Sequence, residues 1–274
     1  MELVPNDAGI IGNAYSSISA AAASFKVDIT AEELAELAVR GDFGDAELAA
    51  IGAVFEYLAQ KHHDSVIETL LRLSRLPRKV PKTFESFDFS RIQGRDASAL
   101  RKLPSLSNLH ARRNLAFVGP GGIGKTHLAQ AYGRECCLQG FKAYFLKATE
   151  LRDKLKRASE SGDPARAVNS LVKPSCLIID EVGRCTFDKA CTDLFFDIID
   201  KRYEKEMPNT LVLTSNTPVN NWNEFFTGDD TLLCTLDRIF DKASVFVMRG
   251  PSFRGADCDT FSVEAVPSVA KIQK

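Results

Sequence analysis

Eight consecutive residues carry the clearest chemistry: Gly119-Pro120-Gly121-Gly122-Ile123-Gly124-Lys125-Thr126, a complete GxxxxGK[ST] match. Glycines at these positions let backbone N–H groups turn inward and approach phosphate oxygens with no Cβ in the way. The motif follows an apolar run that reads as a strand and opens a stretch that reads as a helix, whose N-terminus adds a positive dipole end. Lys125 then reaches the β- and γ-phosphates, and the Thr126 hydroxyl is placed for Mg²⁺. The expected ligands are ATP and Mg²⁺. The expected nucleotide contacts are Gly119, Gly121, Gly122, Ile123, Gly124, Lys125, Thr126 and His127. A glycine-rich turn that happens to contain Lys-Thr is the competing explanation, and the strand before and helix after argue against it.

The run Cys176-Leu-Ile-Ile-Asp180-Glu181 sets two carboxylates at the end of a buried strand, the edge at which open α/β sheets bind ligands. Asp180 suits the Mg²⁺ shell and Glu181 suits a general base acting on water. A small-molecule kinase needs no such base, so the pair favours hydrolysis. Leu211-Val-Leu-Thr214-Ser215-Asn216 is a second buried strand ending in polar groups. Asn216 could bond the attacking water or the γ-phosphate, although polar residues at strand ends often only cap.

Positioning these groups requires a sheet. Apolar strands are expected over 115–118, 142–146, 176–179, 210–214 and 244–248, separated by helices over 125–138, 149–159, 189–203 and 229–242. Short apolar strands alternating with helices predict an α/β fold, a parallel five-stranded sheet covered by helices on both faces. Phe84, Phe87 and Phe89 precede it, either covering an adenine ring or sealing the domain edge; edge packing is the simpler reading.

The front of the chain is different in kind. Residues 1–79 carry 7 basic against 12 acidic side chains, and the remainder 28 against 24, within an overall net charge of −1. A surface built throughout for nucleic acid would be more basic. Thr30 and Glu33 form a capping box opening one helix, with Gly41 at its end. Leu48, Ile51, Val54, Phe55 and Leu58 predict a second helix after Asp45, and Val66, Ile67, Leu70, Leu71 and Leu73 a third from Asp64. These stripes read as internal packing of a helical N-terminal domain and linker over 1–80, acidic enough to favour a protein partner. The main domain then spans 81–256 and a loose tail 257–274. Seven cysteines without a CxxC pair or zinc-type spacing suit a reducing cytoplasm, with Cys176 a small core residue. Glu2 and Asp7 replace the basic start of a signal peptide, and no run approaches membrane-spanning length.

In order, the segments Lys82-Thr-Phe-Glu-Ser-Phe-Asp-Phe, Gly119-Pro-Gly-Gly-Ile-Gly-Lys-Thr-His-Leu-Ala, Leu177-Ile-Ile-Asp-Glu-Val-Gly, Thr214-Ser-Asn-Thr-Pro, Leu236-Asp-Arg-Ile-Phe and Gly250-Pro-Ser-Phe-Arg resemble the IstB/DnaC-like branch of the AAA+ ATPases. They fit its IstB-like transposition helpers best. The resemblance implies roles by position: Asn216 as sensor 1, Arg254 as the sensor 2 arginine, and Arg238 as a finger acting on ATP in a neighbouring subunit. It therefore implies a homo-oligomer that assembles on double-stranded DNA with ATP and stimulates a partner transposase. The alternative is a DnaC-like helicase loader, with single-stranded DNA and a helicase as partners. The acidic front end departs from the more basic one expected of IstB-like chains. In this branch an extra helical element after the second strand lines the assembly; here it covers 149–172, where Arg152, Lys156 and Arg157 are candidate DNA contacts. Interspersed Glu150, Asp153, Glu160 and Asp163 leave a plain solvated face as the alternative.

Overall fold

The computed structural model describes residues 7–227 and 230–252. Helices α1 (Asp7–Ser24), α2 (Ala31–Gly41) and α3 (Asp45–Leu73) come first, followed by short helices α4 (Ala97–Arg101) and α5 (Ser107–His110). The α/β part then runs β1 (Leu115–Val118), α6 (Lys125–Leu138), β2 (Ala143–Lys147), α7 (Ala148–Ser161), α8 (Pro164–Val172), β3 (Cys176–Val182), α9 (Lys189–Tyr203), β4 (Thr210–Ser215), α10 (Asp230–Phe240) and β5 (Ser244–Val247). The five strands form one sheet in the order β2-β3-β4-β1-β5, and every pairing is parallel. Each expected strand is present, with ends shifted by three residues at most.

Strand alternation divides the interior in two. Ala116, Val118, Leu177, Ile179, Leu211 and Leu213 face a core shared with α7, α8 and α9. Leu115, Phe117, Cys176, Ile178 and Val212 face the other core, shared with α6 and with Phe84 and Phe87. Those two phenylalanines are each 6% exposed, so they seal the domain edge as the simpler reading held. Both faces of the sheet are covered, which is what continuous apolar strands of a parallel sheet require.

The N-terminal helices differ from expectation in three ways. The expected second and third helices are one, α3, because no glycine or proline lies between Gly52 and Pro77; Asp64 sits mid-helix and accepts from Gln60 Nε2 at 2.8 Å. Helix α1 carries no apolar period to betray it, yet its Ile18 and Ala22 are buried against the front of α3. The α3 stripe is only partly packed: Leu48 is buried while Val54, Tyr57 and Leu58 stay exposed. At α2 the capping box forms as expected, with Glu33 N donating to Thr30 Oγ1 at 3.2 Å and Thr30 N to Glu33 Oε2 at 2.8 Å. Asp42, not Gly41, takes the left-handed position at its end. The far end of α3 joins the α/β core, where Phe145 N donates to Ser74 O at 2.8 Å.

Arg202 on α9 ties the base of the sheet together. It is 3% exposed, and its guanidinium donates to the carbonyls of Leu171, Val172, Pro174, Ser175 and Thr210. Burial without a carboxylate partner pushes its pKa down to about 10. Replacing it by leucine strands several buried carbonyls, so Arg202→Leu should lower the unfolding free energy by about 3 kcal/mol or more. Urea denaturation reads this directly; a loss below about 1 kcal/mol would mean that water replaces the guanidinium at no net cost.

Candidate functional site

The phosphate loop leaves β1 at the C-terminal edge of the sheet, between the ends of β4 and β5, with the end of β3 one strand beyond β4. Gly119 N donates to Ser215 O at 3.1 Å, which fixes the start of the loop to the end of β4. Gly119 has φ +153°, and a Cβ there would lie 2.1 Å from Met248 O. Gly122 has φ +82°, and a Cβ there would run into Ser252 Oγ. Both positions therefore demand glycine sterically as well as conformationally. The loop ends at Lys125, the first residue of α6, so the free N–H groups of that helix's first turn point toward the cradle. Lys125 is 7% exposed and its Nζ donates to the carbonyls of Gly119 (2.8 Å) and Pro120 (2.7 Å), across the loop.

Asp180 is 2% exposed at the end of β3, and its Oδ1 accepts from Thr126 Oγ1 at 2.8 Å and from Thr214 Oγ1 at 2.5 Å. A buried carboxylate held by two hydroxyls, beside a loop built for phosphate, presents the hard oxygen donors that Mg²⁺ takes, so the residues fit that ion. Thr214 also accepts from Glu181 N at 2.9 Å. Glu181 has φ +61°, in the left-handed region, and β3 shifts register against β4 between Ile179 and Val182. A non-glycine residue in that conformation carries about 1–3 kcal/mol of strain, and the Thr214 bond helps to hold it. The bulge separates the two carboxylates: Asp180 points inward and Glu181 outward. Glu181 Oε1 accepts from Arg184 Nη1 at 2.6 Å, and Lys147 Nζ approaches Oε2 to 3.3 Å without hydrogen-bond alignment.

Asn216 follows β4 and is exposed at the wall of a 730 Å³ cavity that also includes Gly119, Pro120 and Met248. Its backbone corner is fixed by Ser215 Oγ donating to Val182 O (2.6 Å) and by Trp222 Nε1 donating to Thr217 O (3.0 Å). Ile123, 3% exposed, lines a separate 450 Å³ cavity with Ile92, Arg95, Leu100 and the 245–251 segment. That volume is in the range of small-molecule sites, on the order of 300–1,000 Å³. The structure thus brings together Gly119, Gly121, Gly122, Ile123, Gly124, Lys125, Thr126, Asp180, Glu181 and Asn216.

Others stand apart. The His127 ring lies against the linker, with Nε2 2.8 Å from Thr83 O, and burial pushes its pKa below the ordinary histidine value. Arg238 Nη1 is bonded to Asp200 Oδ1 on α9 at 2.6 Å, near the base of the sheet rather than the phosphate loop. Arg254 lies outside the described residues. On α7, Arg152 and Arg157 both bond to Asp153, the first to its carboxylate and the second to its carbonyl, and Lys156 is exposed. Sequence reasoning placed Thr214 among the polar groups ending its strand but gave it no role, since nothing in the spacing shows that its hydroxyl meets Asp180 and Glu181 N. It also missed Arg184 and Lys147 beside Glu181, and the 91–97 wall, which reads as an ordinary polar loop.

A phosphate loop after the first of five parallel strands, with a buried Asp and the Glu that follows it at the end of β3, defines a P-loop ATPase with AAA+ architecture. The family profile described as "IstB-like ATP binding protein" matches residues 20–258, and the chain belongs to that family. Among its relatives, the insertion sequence IS5376 putative ATP-binding protein of Geobacillus stearothermophilus is 38% identical over 189 residues, 69% of this chain and 73% of that protein. The insertion sequence IS21 putative ATP-binding protein of Pseudomonas aeruginosa is 31% identical over 224 residues, 81% of this chain and 82% of that protein. Among solved structures, DnaI matches with a TM-score of 0.51 at 19% identity, covering 66% of this chain and 95% of that one. AMPPCP-bound DnaA from Aquifex aeolicus matches with a TM-score of 0.50 at 21% identity, covering 64% and 52%. These likenesses show the fold. No helix among the described residues is long and apolar enough to cross a membrane.

Thr214 supplies the first test of the site. Thr214→Val keeps the shape of the strand but removes the bonds to Asp180 and to Glu181 N. Turnover should fall about tenfold or more, the equivalent of one buried hydrogen bond of 1–3 kcal/mol. ATPase kinetics check this, and unchanged kcat would show that the hydroxyl does not hold the two carboxylates in place.

Proposed function

We propose that the chain is an ATP-dependent DNA-binding ATPase that assembles on duplex DNA as a homo-oligomer and assists a partner transposase. The observation that carries the transposition reading is the set of relatives named as insertion-sequence ATP-binding proteins, at 31–38% identity across most of the chain. Within the site, the loop N–H groups and Lys125 bind the phosphates of ATP, and Thr126 with Asp180 holds Mg²⁺. When bound, that ion neutralises charge developing between the β- and γ-phosphates. Glu181 turns from Arg184 to accept the proton of the attacking water, and Asn216 orients that water or the γ-phosphate. Arg254 is assigned to the same nucleotide as its sensor 2 arginine.

Arg238 supports the oligomer. It lies on an exposed rim away from its own phosphate loop, a position suited to a finger that completes the site of a second copy. Such a finger contributes roughly 10³–10⁵ in rate. The DNA-facing residues are assigned to the α7 region, including Arg152, Lys156 and Arg157. Protein docking is assigned to the acidic N-terminal helices, where Val54, Tyr57 and Leu58 remain uncovered. A cytoplasmic setting agrees with five free cysteines among the described residues.

Glu181→Gln removes the base but leaves the phosphate site whole, so it should bind ATP normally and hydrolyse it at least about a hundredfold more slowly. With ATP it should be trapped on long duplex DNA in large assemblies at fixed salt, and should release without nucleotide. Binding confined to single strands would favour a helicase loader, and no DNA binding would reduce the account to an ATPase with a protein partner alone. Arg238→Ala should bind ATP as wild type yet turn over slowly, and recover when mixed with Lys125→Ala subunits that supply the finger. Full activity of Arg238→Ala by itself would remove the finger role.

A further inference from the structure

Among the described residues, three buried side-chain nitrogen or oxygen atoms have no hydrogen-bond partner, and two of them belong to residues lining one cavity: Arg202 Nε and Asn209 Oδ1. The cavity lies at the N-terminal edge of the sheet, opposite the phosphate loop, where Asn114 precedes β1 and Asn209 precedes β4. Its walls are fixed by bonds between segments. Leu109 O accepts from both Arg112 N at 3.2 Å and Asn209 N at 3.1 Å, which joins the two loops. Asn114 is engaged at both ends, its Nδ2 donating to Ile239 O at 2.8 Å and its Oδ1 accepting from Leu211 N at 3.0 Å. Asn209 Nδ2 donates to Arg202 O at 2.6 Å, so the oxygen is the end of that amide left over.

Size and charge define what would fill it. At 190 Å³ the cavity far exceeds the ~10–15 Å³ that one water needs, and it falls short of the roughly 300–1,000 Å³ of sites for drug-sized ligands. A small ion suits that volume. The Arg202 guanidinium is 3% exposed and bonded to carbonyls only, so its charge is buried without an anion. Arg112, Arg238 and Lys242 stand on the exposed side of the cavity, and no carboxylate is among its described lining residues. Two acids lie beside these groups and are already engaged, Asp200 with Arg238 and Asp241 with the Tyr203 hydroxyl. The four cations outnumber these two acids, and the ligand is therefore an anion.

The leftover oxygen narrows the choice of anion. Asn209, 7% exposed, needs a donor at Oδ1, while Arg202 needs an acceptor at Nε. Inorganic phosphate at neutral pH keeps at least one P–OH beside its charged oxygens, so a single ion serves both atoms. Sulfate and carboxylates have no proton to give. We propose that this cavity is a binding site for inorganic phosphate, whose P–OH donates to Asn209 Oδ1 and whose charged oxygens accept from Arg202 Nε, Arg112 and Lys242. The site is distinct from the nucleotide site, because parallel strands carry the phosphate loop at their C-terminal ends and this cavity at their N-terminal ends. Inorganic phosphate is also what ATP hydrolysis releases, so the protein's own reaction supplies the ligand.

The test is a calorimetric titration of the full chain with inorganic phosphate, without nucleotide and at fixed ionic strength. Lys125→Ala removes the lysine of the phosphate loop and leaves the cavity untouched, so phosphate binding that persists in it reports the second site. Sulfate should bind this variant at least about tenfold more weakly than phosphate, as one buried acceptor left unpaired requires. Adding Arg112→Gln and Lys242→Gln, both at exposed positions, should weaken phosphate by at least about tenfold again. No phosphate binding, equal binding of the two anions, or unchanged affinity after the added substitutions would each overturn the site. Urea midpoints matching wild type show that the variants are folded. If Lys125→Ala is not, the wild-type chain should bind a second phosphate that the Arg112→Gln, Lys242→Gln variant lacks, and equal stoichiometry in the two would overturn the proposal.

Discussion

Burying a carboxylate at 2% exposure is costly unless every approach to it is arranged, and Asp180 is the residue around which this site is arranged. Its Oδ1 receives hydroxyls from two different elements, Thr126 on α6 and Thr214 on β4. That junction joins the strand carrying the acid, the helix opened by the phosphate loop and the neighbouring strand in one small network. The same Thr214 oxygen takes the Glu181 N–H, which holds the adjacent residue in a left-handed conformation. The bulge that results sends consecutive carboxylates to different places, one inward and one to the rim.

Much of this was legible beforehand, and for identifiable reasons. Strands of four to seven apolar residues have few alternatives once helices separate them, so the parallel sheet followed from pattern alone. The loop glycines announced themselves because only glycine tolerates the approach of Met248 O and Ser252 Oγ that the structure contains. Side-chain partners across elements were not legible. Lys147 meets Glu181 from β2, and no spacing encodes that meeting; Arg184 lies only three residues beyond Glu181, but the turn that brings them together was not anticipated. Helix α1 escaped because alanine and serine favour no face, and the single long α3 was split because Asp64 resembles a cap when its helical bond from Gln60 cannot be seen. The assignment of His127 to the nucleotide rested on its position next to Thr126, whereas its ring spends its bonding on the linker at Thr83.

Charge is distributed along lines that the fold makes sense of. Acidic groups dominate the N-terminal helices, while cations outnumber acids in the α/β part. The far end of α3 is anchored to the sheet by Ser74 and by the Arg75–Glu150 pair at 2.6 Å, and Glu150 in turn accepts from Lys147 N at 2.8 Å. The helical unit, α7 and the rim of the nucleotide site are thereby in physical contact. On the proposed reading, a partner protein at one end, nucleotide at the sheet edge and nucleic acid along α7 all touch elements that share these bonds.

The central claim is that Asp180 links this buried network to the metal of bound ATP. It is tested most directly by ATP affinity with and without Mg²⁺, measured calorimetrically for wild type and Asp180→Asn. Asparagine keeps an acceptor for the Thr126 and Thr214 hydroxyls but loses the charge. The account predicts that Mg²⁺ tightens ATP binding to wild type by at least about tenfold, or 1.4 kcal/mol, and barely affects the variant. Equal Mg²⁺ dependence in the two proteins would contradict it.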